Sequence, residues 1–259
     1  MASKKLGETK GPFLVWIFLI LYFTIPKILS TEFSGNTLPQ DVTIFLILGL
    51  LGSMAMGWGP IIVFLVIFLA LWEKRRSLMD IFSNVGLKRK GSVKSLLWGI
   101  ALLPLIIIIS LLMMMLSYFL GPNPLLRSSG SSDGQVPPWY PYYMILYSFF
   151  PVAVVEEAIG RGYMLDRLMP YHPSSLVKAL PAILLSSIMF TLYHLPSYLM
   201  LYSFSVPWTA ALLAGNVFPW SVALSIAYVR AGTRNILGPV LIHFLADGIP
   251  FVLMLLGIT

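Results

Sequence analysis

The sequence predicts an all-α fold, a polytopic transmembrane bundle of about seven to eight helices. Three observations predict it. Of 259 residues, 58% are hydrophobic and only 10% are charged, whereas a soluble domain carries about a quarter charged residues. Mean hydropathy is +0.87. Apolar runs recur with short loops between them, so the length divides into roughly seven spans of about 20–25 residues. No room is left for a separate soluble domain, and residues 1–259 are read as a single integral membrane domain.

Span 1 covers about 12–29, in "PFLVWIFLILYF" and beyond. A basic start precedes it and "PKILSTEF" follows without a small-x-small cleavage site, so it reads as an uncleaved anchor. Span 2 covers about 42–72, with a kink expected at Gly57 to Pro60 because proline lacks an N–H. Span 3 covers about 93–120, and its "LLMMML" (111–116) reads as packing rather than a metal-binding methionine box. The Ser/Gly/Pro-rich 127–138 reads as an external loop. Spans 4 (about 139–168) and 5 (about 178–200) form a hairpin turning near "PYHPSS" (170–175), where His172 is a loop histidine. Span 6, about 204–229, contains Pro207, Gly215 and Pro219 and is expected as two short pieces. Span 7 covers about 236–257. With no cysteine in the chain, disulfides, thiolate metal sites and cysteine nucleophiles are excluded.

Charge sets orientation. Lys4, Lys5 and Lys10, the basic cluster from Lys74 to Lys94, Arg167, Lys178, Arg230 and Arg234 all fall on one side of a seven-span bundle. The other side receives Lys27 and Arg127 with Glu32, Asp41 and Asp133. The positive-inside rule then places the N-terminus in the cytoplasm and the C-terminus outside. The net charge of +7 belongs to these loops. No soluble basic face exists to bind nucleic acid. Residues 76–95 read equally as an amphipathic interfacial stretch or a solvated loop.

The ionisable residues inside the spans are few: Glu156, Glu157 and Arg161 in span 4, His194 in span 5, His243 and Asp247 in span 7. Each costs about 2.5–3.5 kcal/mol to insert, so each faces the interior and has a task. Glu157 and Arg161 are four apart and pair on one face, leaving Glu156 about 100° away without that partner. Phe190 and His194 share a face, as do His243 and Asp247. Helix rise puts Glu156 and His194 on the order of 25 and 30 Å from the hairpin tip, nearly level, and His243 roughly 13 Å inside its own end. All can meet at one depth, nearer the cytoplasmic face. The Glu157–Arg161 pair reads as structural; the rest read as a site.

A glutamate and two histidines suit hydrolysis. The carboxylate acts as general base on water, and the histidines polarise a carbonyl or stabilise an oxyanion. Alternatively His194, His243 and Glu156 could hold zinc, as in other hydrolases with two histidines and one carboxylate. There is no HExxH motif, and Ser186 and Ser187 read as packing residues.

"EEAIGR" (156–161), "FTLYH" (190–194) and "HFLAD" (243–247) resemble the EExxxR, FxxxH and HxxxN/D motifs of the CPBP (Abi) family of intramembrane proteases, which includes type II CAAX prenyl proteases. Each motif alone is weak; three in this order are specific. The basic lead-in "GLKRKGSVKSLLWG" (86–99) is similar too, so the protease core would span about 86–250. The resemblance implies an endopeptidase acting within the membrane near its cytoplasmic face. Glu156 would activate water, and His194 and His243 would be the other essential groups. Asp247 would assist the oxyanion or orient His243, with Glu157 and Arg161 completing the first motif and Phe190 contacting substrate. The implied partners are membrane lipids and a lipidated or membrane-embedded protein substrate, possible CAAX-type processing included. Two departures stand out: Gly160 replaces a frequent aromatic, and Asp247 replaces the amide of prenyl-processing members. An ionised Asp247 cannot donate to an oxyanion, so either Asp247 is protonated or it orients His243 instead. The competing classes are a non-catalytic scaffold or self-immunity protein, and a proton-coupled transporter. A transporter would show inverted repeats and paired broken helices.

Overall fold

The computed structural model of the chain describes residues 6–29, 58–75, 77–120, 138–169, 175–201 and 205–257. Eight helices, and no strand, are found among them. They are α1 (Leu6–Leu29), α2 (Gly59–Leu71), α3 (Leu78–Asn84), α4 (Ser92–Phe119), α5 (Tyr140–Leu168), α6 (Leu176–Leu201), α7 (Val206–Ala231) and α8 (Leu237–Leu255). The long helices α4 to α8 are apolar enough to cross a membrane, and α1 and α2 contain shorter apolar helices. The chain is an integral membrane helical bundle. The first half of span 2 with Gly57, the loop 121–137 and the hairpin tip with His172 lie outside the described residues. Pro60 sits in the first turn of α2, where a missing N–H leaves no helical bond unmade.

Polarity is arranged inside-out, as lipid requires. Ile107, Ile108, Leu112 and Met115 of α4 face outward, while Glu157 and Arg161 are among the least exposed side chains. In hydrocarbon, apolar burial gives no drive for helices to associate, so close packing of small residues and polar contacts do that work. The α4–α8 contact is of this kind. A Cβ on Gly238 would stand 2.1 Å from the Ser95 carbonyl oxygen, and one on Gly99 2.8 Å from the Gly238 oxygen. The Ser95 hydroxyl accepts from Gly238 N at 2.9 Å and donates to Asn235 O at 2.8 Å. This fixes the start of α8 five residues before His243. The first helix belongs to the same bundle: Trp16 Nε1 donates to Met189 O at 2.8 Å.

The basic segment after α2 folds into α3, capped by the Ser77 hydroxyl accepting from Asp80 N, and then a turn through Gly86 at φ +83°. Gly86 O accepts from Ile236 N at 3.1 Å, and Asn235 Nδ2 donates to Lys88 O. The basic turn therefore clips onto the α7–α8 turn. Beside it, Arg167 donates to both oxygens of Glu73 at 2.8 and 2.6 Å and to Asp166 at 2.9 Å. Asp166 also accepts from Tyr228 and Arg234. Burial alone would push the Glu73 carboxyl up; the bonds and charge of Arg167, with Asn84 and Arg75, outweigh it and hold Glu73 below its ordinary value.

Span 6 differs from the expectation of two pieces. Val206–Ala231 is continuous, with a π-helical turn over Leu213–Val217 just before Pro219. The wider i→i+5 turn absorbs the N–H that Pro219 lacks, so the chain widens instead of breaking.

Candidate active site

The first motif lies on an irregular part of α5. Glu156 and Glu157 occupy a single α-turn, Val155–Glu157, between π-helical stretches Ser148–Val154 and Ala158–Leu165. Pro151 lies within the first, and π-turns of this kind are frequent at functional sites.

Arg161 Nη1 donates to Glu157 Oε1 at 2.8 Å, the four-residue pairing that the spacing predicts. The guanidinium does more than lock its own helix. Its Nη2 donates to Ser221 Oγ at 2.8 Å and Ser221 O at 3.1 Å on α7. It also lies 4.2 Å over the Phe190 ring of α6. One buried cation thus joins three helices, and Phe190 forms its floor. A Cβ on Gly160 would stand 3.0 Å from that ring, so in this helix the residue before Arg161 is small where an aromatic would collide.

Glu157 also departs from a purely structural pairing. Its Oε1 lies 2.7 Å from His243 Nδ1. Facing a carboxylate, that nitrogen is the donor, and the bond sets the orientation of the ring. The other nitrogen, His243 Nε2, stands 3.3 Å from Asp247 Oδ2 and 3.9 Å from Glu156 Oε2. The i,i+4 companionship of His243 and Asp247 is present, but Glu157 rather than Asp247 holds Nδ1.

His194 Nδ1 lies 2.8 Å from the Phe190 carbonyl oxygen. A carbonyl only accepts, so Nδ1 carries the proton. Nε2 is left facing Glu156 Oε2 at 3.6 Å. The companion of His194 is therefore the backbone of Phe190, not its ring alone. Glu156, His194, His243 and Asp247 line one cavity of about 200 Å³. The helices bring together all the ionisable residues singled out inside the spans.

Two residues escaped the sequence reading. Asn216 and Trp220 of α7 line the same cavity, and both also line an adjoining chamber of about 640 Å³ shared with Val152 and Asp247. The signal was present as Gly215 and Pro219 breaking span 6 around a polar Asn216. Among the described residues, no group of three His, Cys, Asp or Glu side chains stands in an arrangement that could hold a metal ion; His194, His243 and Glu156 form no such group.

No curated protein and no solved structure matches the chain significantly. Residues 138–249 match the family model described as type II CAAX prenyl endopeptidase Rce1-like. That segment runs from the start of α5 into α8 and contains all three motifs and every cavity-lining residue named above. In residues 138–249 the chain is therefore similar to the Rce1-like type II CAAX prenyl endopeptidases.

Proposed function

We propose that this protein is an intramembrane endopeptidase that hydrolyses a peptide bond of a prenylated, CAAX-type protein substrate, with Glu156 as the base that activates water. The observation that carries it is the convergence of His194 Nε2 and His243 Nε2 on one oxygen of Glu156, at 3.6 and 3.9 Å, in a buried cavity. A water lodged beside Glu156 can bridge carboxylate and imidazole across gaps of that length. Glu156 takes a proton from the water as its oxygen attacks the scissile carbonyl carbon. The C–N bond then breaks, and the same carboxyl returns the proton to the departing amine. With a proton on Nε2 as well as on Nδ1, His194 and His243 donate to the carbonyl oxygen and face the charge that develops on it. Glu157 keeps His243 in register for this, and Arg161 keeps Glu157 in place. The proposed reaction is written through side chains and water; His194, His243 and Glu156 are the residues that would hold zinc in its metal-dependent alternative. The one-sided distribution of Lys and Arg supports a cytoplasmic N-terminus and a site nearer the cytoplasmic face.

The test is cleavage of a farnesylated CAAX peptide by the purified protein in detergent. Glu156→Ala and His194→Ala are expected to lose turnover; variants that cleave as fast as the wild type would sink the assignment.

A further inference from the structure

Asn216 and Trp220 carry two polar atoms that the proposed reaction leaves unused. Asn216 Oδ1 and Trp220 Nε1 are both buried without a hydrogen-bond partner. One is an acceptor and the other a donor. Leaving such groups unmade is costly, and a site that does so commonly awaits a ligand. The two residues are four apart, at and just beyond the π-turn of α7. Both line the catalytic cavity and the larger chamber. They therefore stand where the two spaces meet, and a chain that reaches from one into the other passes them. Asp247 also lines both spaces, with its Oδ2 turned to His243 Nε2 at 3.3 Å.

We infer that Asn216 and Trp220 grip the backbone of the substrate, the Trp220 indole N–H donating to a peptide carbonyl and Asn216 Oδ1 accepting a peptide N–H. The inference rests on the peptidase reading of this site. A substrate strand must leave helical pairing to be cut, and within a membrane its freed N–H and C=O groups find no water. An acceptor and a donor one helical turn apart suit the N–H and C=O of a single extended residue, which point to the same side of a strand. The pair would thus supply a carbonyl donor and an N–H acceptor for any side-chain sequence.

The test uses the full-length protein in detergent micelles with a farnesylated CAAX heptapeptide. A companion series of peptides replaces one backbone N–H at a time by an ester oxygen. Glu156→Gln protein reports binding and Glu156-intact protein reports cleavage. Trp220→Phe keeps the aromatic ring and removes the N–H; Asn216→Leu keeps the size and removes the amide. Each is expected to weaken peptide binding by about ten-fold. One ester position is expected to weaken binding to the parent by about ten-fold and to leave Asn216→Leu binding unchanged. A role in packing alone would not depend on a single ester position. Variants that bind and cleave like the parent overturn the inference and leave the peptidase reading standing. So does an ester series in which Asn216→Leu loses as much as the parent everywhere. Position-specific binding in a protein that never cleaves keeps the backbone grip and overturns the peptidase reading; a protein that neither binds nor cleaves overturns both.

Discussion

Glu157 Oε1 accepts from both His243 Nδ1, at 2.7 Å, and Arg161 Nη1, at 2.8 Å. One carboxylate oxygen thereby connects a histidine of the candidate site to a guanidinium that spans three helices. The orientation of His243 is built on Glu157, and Glu157 → Gln is expected to lower kcat by about 10²-fold while leaving KM within a few-fold. The same change leaves Arg161 buried with a weaker partner, so thermal unfolding should show a loss of about 3 kcal/mol. Unchanged turnover would refute the positioning role.

Asp247 → Asn separates the two carboxylates around His243. Because Glu157 holds Nδ1, Asp247 is not needed to orient the ring. Turnover by Asp247→Asn is expected to stay within about ten-fold of wild type, far above Glu157→Gln. Steady-state kinetics of the two variants side by side decide it; the reverse ranking would make Asp247 the orienting group.

Glu156 → Ala and His194 → Ala are expected to lower kcat by about 10³-fold or more, the range of a general base and its partners. Their thermal midpoints should fall little, since neither residue is tied into the Arg161 junction. Loss of folding together with activity would reassign them as structural.

Metal content tests the zinc expectation directly. With no metal-holding group among the described residues, cleavage is expected to survive prolonged chelation, and the purified protein to hold substoichiometric zinc. Stoichiometric zinc that disappears in His243→Ala would replace the side-chain mechanism.

The Glu73–Arg167 bridge gives a pH signature. The pKa of Glu73 is lowered in the fold, so its stabilisation is complete above the ordinary glutamate value of about 4.3 and fades as pH falls through the lowered one. Glu73→Gln should cost about 2–3 kcal/mol at neutral pH and little in strong acid. Unfolding curves for both proteins between pH 7 and pH 3 should converge at the acid end; parallel curves would contradict it.

What the sequence made legible was periodic. Four-residue spacing identifies Glu157 with Arg161 and His243 with Asp247, and helix rise brings Glu156, His194 and His243 level. What it could not show were contacts between distant segments. Arg161 meets Ser221 sixty residues on, and Glu157 meets His243 eighty-six residues on. The division of labour at the first motif changes accordingly: Glu157 is not set apart from the histidines but holds one of them. Span 6 was misread because prolines and glycine within a span signal either a break or a widened turn. Only the neighbouring packing selects between them.

The π-helical stretches that flank Val155–Glu157 carry a last consequence. Each residue of an α-helix turns the chain by about 100°, so the aim of Glu156 depends on how many residues precede it as well as which. A one-residue deletion between Pro151 and Val155 would keep every cavity-lining side chain in the protein and still change the direction in which Glu156 points. In this helix, spacing is itself heritable information, and a change of length can undo the cavity as surely as a substitution.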